Sequence, residues 1–147
     1  VMKVMLKTDF TGKSVLDMGS GTGILAILAF MQGATSALAI DNDANAVENS
    51  RENAIRNGYP QMEVELGEGG AIKGKKFDVI LANINRNIIL QDLHLYNDAM
   101  KEGSILITSG YYTDDLPVIK NKAAEMGIQY LHHTSENEWC CAVFEKK

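Results

Sequence analysis

Val15-Leu16-Asp17-Met18-Gly19-Ser20-Gly21-Thr22-Gly23 runs from an apolar segment into a loop in which every second residue is glycine. The almost wholly apolar segment Ile24 to Met31 follows at once. Continuous apolar character marks a buried parallel strand, and the glycines mark a tight turn into a helix packed back on the sheet. Glycine lets the backbone take positive φ and lets a ligand approach without meeting a Cβ atom. This reading expects the N–H groups of the turn and of the first helical turn to point at that ligand.

Outward from this stretch, strand and helix alternate. Toward the N-terminus, an apolar stripe of Val1, Val4, Met5 and Met2 reads as a helix, turned into the first strand (Ser14–Asp17) by Phe10-Thr11-Gly12-Lys13. The chain enters inside that helix, so further chain is expected upstream. Toward the C-terminus, Gly33 ends the helix after the glycine loop, and Ala34–Asp41 is a second strand. Asp43 or Asn42 caps the next helix, whose apolar face is Ala44, Val47, Ala54 and Ile55, with Glu52 and Arg56 as a surface pair.

Met62–Leu66 alternates strictly, as a strand at or near the sheet edge does. Phe77–Asn83 reads as a central buried strand, and Asn87 to Met100 as a helix burying Ile88, Leu90, Leu93 and Tyr96. Ser104–Thr108 is a further strand; Thr113-Asp114-Asp115 caps a helix carrying Val118, Ile119, Ala123 and Met126. Ile128–Thr134 and Glu138–Glu145, joined by Ser135-Glu136-Asn137, lack a helix between them and should pair antiparallel. The pattern implies an α/β fold: a doubly wound, mostly parallel sheet with an antiparallel C-terminal strand pair, in one domain over residues 1–147.

The net charge of −5 argues against a broad nucleic-acid surface, and no direct nucleic-acid binding is expected. No apolar run reaches membrane-spanning length, so no membrane partner is expected. Cys140 and Cys141 are adjacent in an expected strand, so their side chains point to opposite faces and read as buried thiols. His94, His132 and His133 show no metal-ligand spacing, and no metal is expected.

In an open α/β sheet the ligand lies outside the carboxyl ends of the strands. Those ends are Asp17/Gly19, Asp41, Gly67/Glu68, Asn83 and Ser109/Gly110. Asp41 lies about twenty residues past Gly19, the interval at which an acid holds ribose hydroxyls. Asn83 ends an apolar strand with a polar amide; it either faces a substrate amine or caps the helix that follows.

The glycine spacing separates ligand classes. A dinucleotide fold places glycines as G-x-G-x-x-G, whereas Gly19-x-Gly21-x-Gly23 is followed by Ile24. With Asp17 two places before the first glycine, the pattern resembles motif I of the class I S-adenosylmethionine-dependent methyltransferases, which implies a Rossmann-like methyltransferase fold. Asp78-Val79-Ile80-Leu81-Ala82-Asn83-Ile84, Ile105–Gly110 and Glu138-Trp139 resemble stretches of the PrmA family, enzymes that methylate amino groups of a ribosomal protein. Asp17–Ile27 and the Ala46…Gly58 helix match as well.

The resemblance implies an S-adenosyl-L-methionine cofactor, a ribosomal-protein substrate and a cytoplasmic enzyme. It puts Asp17, Gly19 and Gly21 at the methionine end of the cofactor, Asp41 and the adjacent Asn42 at the ribose, and Glu68 at the adenine. Asn83 would face the substrate amine beside the cofactor as the catalytic residue. Glu68 stands where a small residue is expected, and the family's N-terminal substrate-recognition domain is absent from the sequence. Two other readings stay open: an NAD(P)-dependent oxidoreductase, and an S-adenosylmethionine-binding domain without activity.

Overall fold

The apolar segments around Val15, Leu38 and Val79 cannot face water on either side, so they become the middle of a sheet covered on both faces. A computed structural model describes all of residues 1–147. In chain order the elements are α1 (Met2–Leu6), β1 (Ser14–Met18), α2 (Ile24–Met31), β2 (Ser36–Asp41), α3 (Ala44–Arg56) and β3 (Glu63–Leu66). After them come β4 (Phe77–Asn83), α4 (Arg86–Asp98), β5 (Met100–Tyr112), α5 (Leu116–Glu125), β6 (Ile128–Glu136) and β7 (Trp139–Lys146). Short 3-10 turns span Gly69–Ile72 and Thr113–Asp115.

The seven strands form one sheet in the order β3-β2-β1-β4-β5-β7-β6. Pairing is parallel from β3 to β5 and antiparallel at β5–β7 and β6–β7. The expected α/β fold, with its antiparallel C-terminal pair, is therefore the observed one. Alternation along the strands splits the core into two layers. Leu16, Ile80 and Leu106 pack with α4 and α5, whereas Val15, Val79 and Ile107 pack with α1, α2 and α3. Cys140 and Cys141 fall in opposite layers, as adjacent strand residues must. No helix is long and apolar enough to cross a membrane.

Several local expectations are corrected. The helix expected to reach Met100 ends at Asp98; Met100 is fully buried and pairs with Phe77 at the start of a longer β5. Its buried face is Ile89, Asp92, Leu93 and Tyr96, leaving Ile88 exposed. In α3 the buried set is Val47, Ser50 and Ala54; Ile55 is exposed. Arg56 bonds to Asn53 rather than pairing with Glu52.

The Thr113–Asp115 turn makes no side-chain cap; Asp115 instead accepts from Arg86 at 3.1 Å. The final hairpin turns at Asn137-Glu138, both with positive φ (51° and 70°), two residues being the length a tight hairpin favours.

The sheet order fixes where a ligand crevice can form. From β1 the chain moves toward β2 and β3, and from β4 it moves toward β5, so their carboxyl ends part between them. That is where the glycine loop lies.

Candidate functional site

Gly19, Gly21 and Gly23 all have positive φ (73°, 57° and 78°), which is why the β1–α2 loop needs glycine. Its amides do not behave as the sequence led one to expect. Gly19 and Ser20 donate to the Ile40 carbonyl, Gly21 donates to Asp41 Oδ2 at 2.9 Å, and Gly23 donates to the Ser20 carbonyl. With the amides of Gly19, Ser20, Gly21 and Gly23 taken up inside the protein, most of the loop's donors are turned away from a phosphate. Helix α3 pins it from outside: Ser50 Oγ donates to the Gly21 carbonyl at 2.9 Å and Asn53 Nδ2 to the Thr22 carbonyl at 2.9 Å. Neither residue was read as functional from sequence; a fully buried serine in a helix is the kind of signal that marks such a support.

Asp41, at the tip of β2, accepts from Gly21 with one oxygen and from Asp43 N–H with the other, at 3.0 Å. Each carboxylate oxygen has two acceptor positions, so one on each remains for neighbouring hydroxyls. Asp43, not Asn42, caps α3 by accepting from Asn45 N–H. That leaves Asn42 free to face the cleft.

The cleft beside this tip has a volume of about 430 Å³. Its walls include Gly19, Asp41, Asn42, Glu68, Ile84, Ile88, Gln91 and Asp92. Of the residues proposed from sequence to touch a cofactor, Gly19, Asp41, Asn42 and Glu68 therefore come together here. Gly21 lies on the loop against Asp41, outside the lining. The lining has three carboxylates and no Lys, Arg or His.

Asp17 is placed differently from the expectation that it lines the cleft. Strand alternation turns it under α2, where it is fully buried and both carboxylate oxygens lack a hydrogen-bond partner. Burial pushes its pKa up to about 7 and Asp41 adds to the rise; the Ala26 amide, close by but short of a well-formed hydrogen bond, offsets part of it. An unpaired carboxyl beneath the loop favours a cation above it.

Asn83 opens onto a second cleft of about 650 Å³, shared with Ser109, Gly110, Glu136 and Trp139. It is exposed rather than buried, so burial does not force a partner on it. The next residue, Ile84, lines the first cleft. One step of backbone thus presents adjacent side chains to both clefts.

That step is clamped. The Ile84 N–H donates to the Ser109 carbonyl at 3.1 Å. A Cβ on Gly110 would meet the Ile84 carbonyl oxygen at 2.7 Å, and one on Gly19 would strike the Ile84 side chain. The alternative role for Asn83, capping α4, belongs to Asn85, whose Oδ1 accepts from Ile88 N–H at 3.0 Å. Asn83 Oδ1 instead accepts from Ser109 Oγ at 3.1 Å, which ties the amide to the neighbouring strand. Trp139, half-exposed, stacks on Tyr112 with ring centroids 4.3 Å apart and walls the same cleft.

Comparison with known proteins identifies the family and the fold. A family model described as ribosomal protein L11 methyltransferase (PrmA) matches residues 2–147. The ribosomal protein L11 methyltransferase of Phocaeicola vulgatus is 47% identical over 148 residues, covering 100% of this chain and 53% of that protein. That of Bacteroides fragilis is 48% identical over 141 residues, covering 95% and 50%. The crystal structure of ribosomal protein L11 methylase from Lactobacillus delbrueckii subsp. bulgaricus has a TM-score of 0.93 at 30% identity, covering 99% of this chain and 76% of that one. A SAM dependent methyltransferase from Aquifex aeolicus, 18% identical with a TM-score of 0.80, shares the fold. The chain spans about half the length of the curated relatives it matches.

Proposed function

Since this chain belongs to the ribosomal protein L11 methyltransferase (PrmA) family, we propose that it is an S-adenosylmethionine-dependent N-methyltransferase acting on amino groups of a ribosomal protein. The observation that carries the reading is the chemistry of the first cleft. It is lined by Asp41, Glu68 and Asp92 without a cation, beside a loop in which the amides of all three glycines are taken up internally. Such a cleft suits a cationic nucleoside and opposes the pyrophosphate of a nicotinamide dinucleotide. A ribosomal-protein acceptor puts the reaction in the cytoplasm. Residues 1–147 act as one cofactor-binding domain.

The residues fit the donor as follows. Asp41 takes the two ribose hydroxyls with its remaining acceptor positions, and Asn42 borders them. Gly19 and Gly21 let the methionine end pass close to the backbone. Glu68 borders the base, and Ile84 and Ile88 give it an apolar wall. Asp17 acts through the loop, its buried charge balanced by the cationic end of the ligand.

S-adenosylmethionine, when bound, supplies a methyl group on a sulfonium, which is already a good leaving group. The chain's share is therefore positioning. Asn83 Oδ1, oriented by Ser109, accepts a hydrogen from a neutral acceptor amine and turns the nitrogen lone pair toward the first cleft. Trp139 narrows the approach and helps exclude water. Lysine has a free pKa of about 10.4, so the acceptor must shed a proton before attack.

Calorimetric titration should show S-adenosylhomocysteine binding and no binding of NAD; NAD binding of equal strength would overturn the cofactor assignment. Transfer of labelled methyl to purified ribosomal protein L11 tests the rest. Asn83→Ala is expected to lower transfer on the order of a hundredfold while leaving donor affinity within about threefold. Equal loss of both would make Asn83 a structural residue.

A further inference from the structure

Asp92 is the one acidic side chain on the core-facing stripe of α4, between Ile89 and the Leu93–Tyr96 turn. It is only 8% exposed, and its small open surface faces the first cleft. No group of the protein donates a hydrogen bond to it; its titratable neighbours are Glu68 across the loop and His94, both exposed, and the buried hydroxyl of Tyr96 on its own helix. Burial and Glu68 raise its pKa, whereas His94 lowers it. The loop makes room for it: a Cβ on Gly69 would come within 2.6 Å of Asp92 Oδ2. Its oxygens open onto the cleft and take no donor from the chain, so they are free to accept from a molecule bound there.

The position of Asp92 says what that donor is. Asp41 marks the ribose at one side of the cleft, and the methionine end leads over Gly19 toward Asn83. The base must then extend away from the ribose between the Gly67–Gly69 loop and the Ile84–Ile88 wall, and Asp92 closes that end.

Resting on the cofactor assignment above, we infer that Asp92 reads the exocyclic amino group of the adenine and makes the cleft selective for 6-amino over 6-oxo purines. An amino group donates hydrogens to the carboxyl. A 6-oxo group presents lone pairs to it and leaves both acceptors facing one another, which is how a site built for a donor rejects its analogue.

The test compares the affinities of S-adenosylhomocysteine and S-inosylhomocysteine, its hypoxanthine counterpart. Wild-type chain should prefer the adenosyl form by on the order of tenfold or more. Asp92→Asn, whose amide can present either an acceptor or a donor, should bind the inosyl form more tightly than wild type does and close most of that gap. Asp92→Ala should close it by losing adenosyl affinity alone. Thermal melts of both variants confirm folding.

Wild-type chain with no preference, or a preference unchanged in both variants, overturns the inference while leaving the cofactor assignment standing. Failure of wild-type chain to bind either compound overturns both.

Discussion

Gly110→Ala is expected to destabilise the chain by roughly 2–5 kcal/mol and to abolish donor binding and methyl transfer together. Two effects add. Gly110 has φ of 94°, a conformation costing a non-glycine residue about 1–2 kcal/mol. Its new Cβ would also lie 2.7 Å from the Ile84 carbonyl oxygen and 3.0 Å from the Ile84 nitrogen. Backbone, unlike a flexible side-chain tip, cannot swing aside.

The register shift between Ser109 and Tyr111 shows a bulge in the β5–β7 pairing at this point, which turns Tyr111 inward to bond Thr108 at 2.7 Å. Pushing Ile84 away displaces the first cleft's wall, and Asn83 moves with it. Gly74→Ala is the control: φ is 81° but nothing lies within 4 Å of its added Cβ, so only the conformational cost applies. Chemical denaturation with parallel titration measures both variants. Equal destabilisation of the two would refute the clamp.

Asp17→Asn should have the opposite effect on stability, and the sign follows from the raised pKa. The folded chain holds a proton on Asp17 up to about pH 7, whereas the unfolded chain releases it near 3.8. Between those values the folded state binds more protons, so the contribution of Asp17 to stability falls as pH rises and levels off above about 7. The full swing is on the order of 4 kcal/mol, a shift of one pKa unit being about 1.4 kcal/mol.

Asparagine removes this slope. Its own unpaired amide costs about 1–3 kcal/mol, so the net gain at pH 8 is roughly 1–3 kcal/mol, with no gain near pH 4. The same substitution should weaken S-adenosylmethionine binding, because the charge opposite the ligand's cationic end is gone. Melting curves from pH 4 to 8 test it; an unchanged slope in Asp17→Asn would show that the carboxyl does not titrate as described. A carboxylate kept where it destabilises the empty chain is what a ligand site demands.

The sheet was legible because its cause is local. Uninterrupted apolar runs, glycine turns and alternating Glu63–Leu66 each specify an element from a few neighbouring residues. The C-terminal pair followed from the lack of a helix between two strands. The site was less legible because its chemistry is made by partners far apart in the chain. Asp41 was found by spacing, yet its bond to Gly21, which removes that amide from ligand duty, exists only in the folded structure.

The cap that the sequence allowed Asn83 is made by Asn85, and only the bond from Ile88 N–H in the folded structure shows it. Leu93 and Tyr96 are buried as expected, but reading Ile88 and Leu90 beside them hides Asp92, which shares the inward face with Ile89. The stripe Ile89, Leu93, Tyr96 at helical spacing leaves an aspartate on the inward face, an anomaly that the sequence does contain.

A crystal of this chain soaked with S-adenosylhomocysteine should show the nucleoside in the first cleft, both ribose hydroxyls on Asp41, the base between Ile84 and the Gly67–Gly69 loop, and the sulfur directed toward Asn83. Ligand bound elsewhere, or Asp41 turned away from an occupied cleft, would contradict this placement.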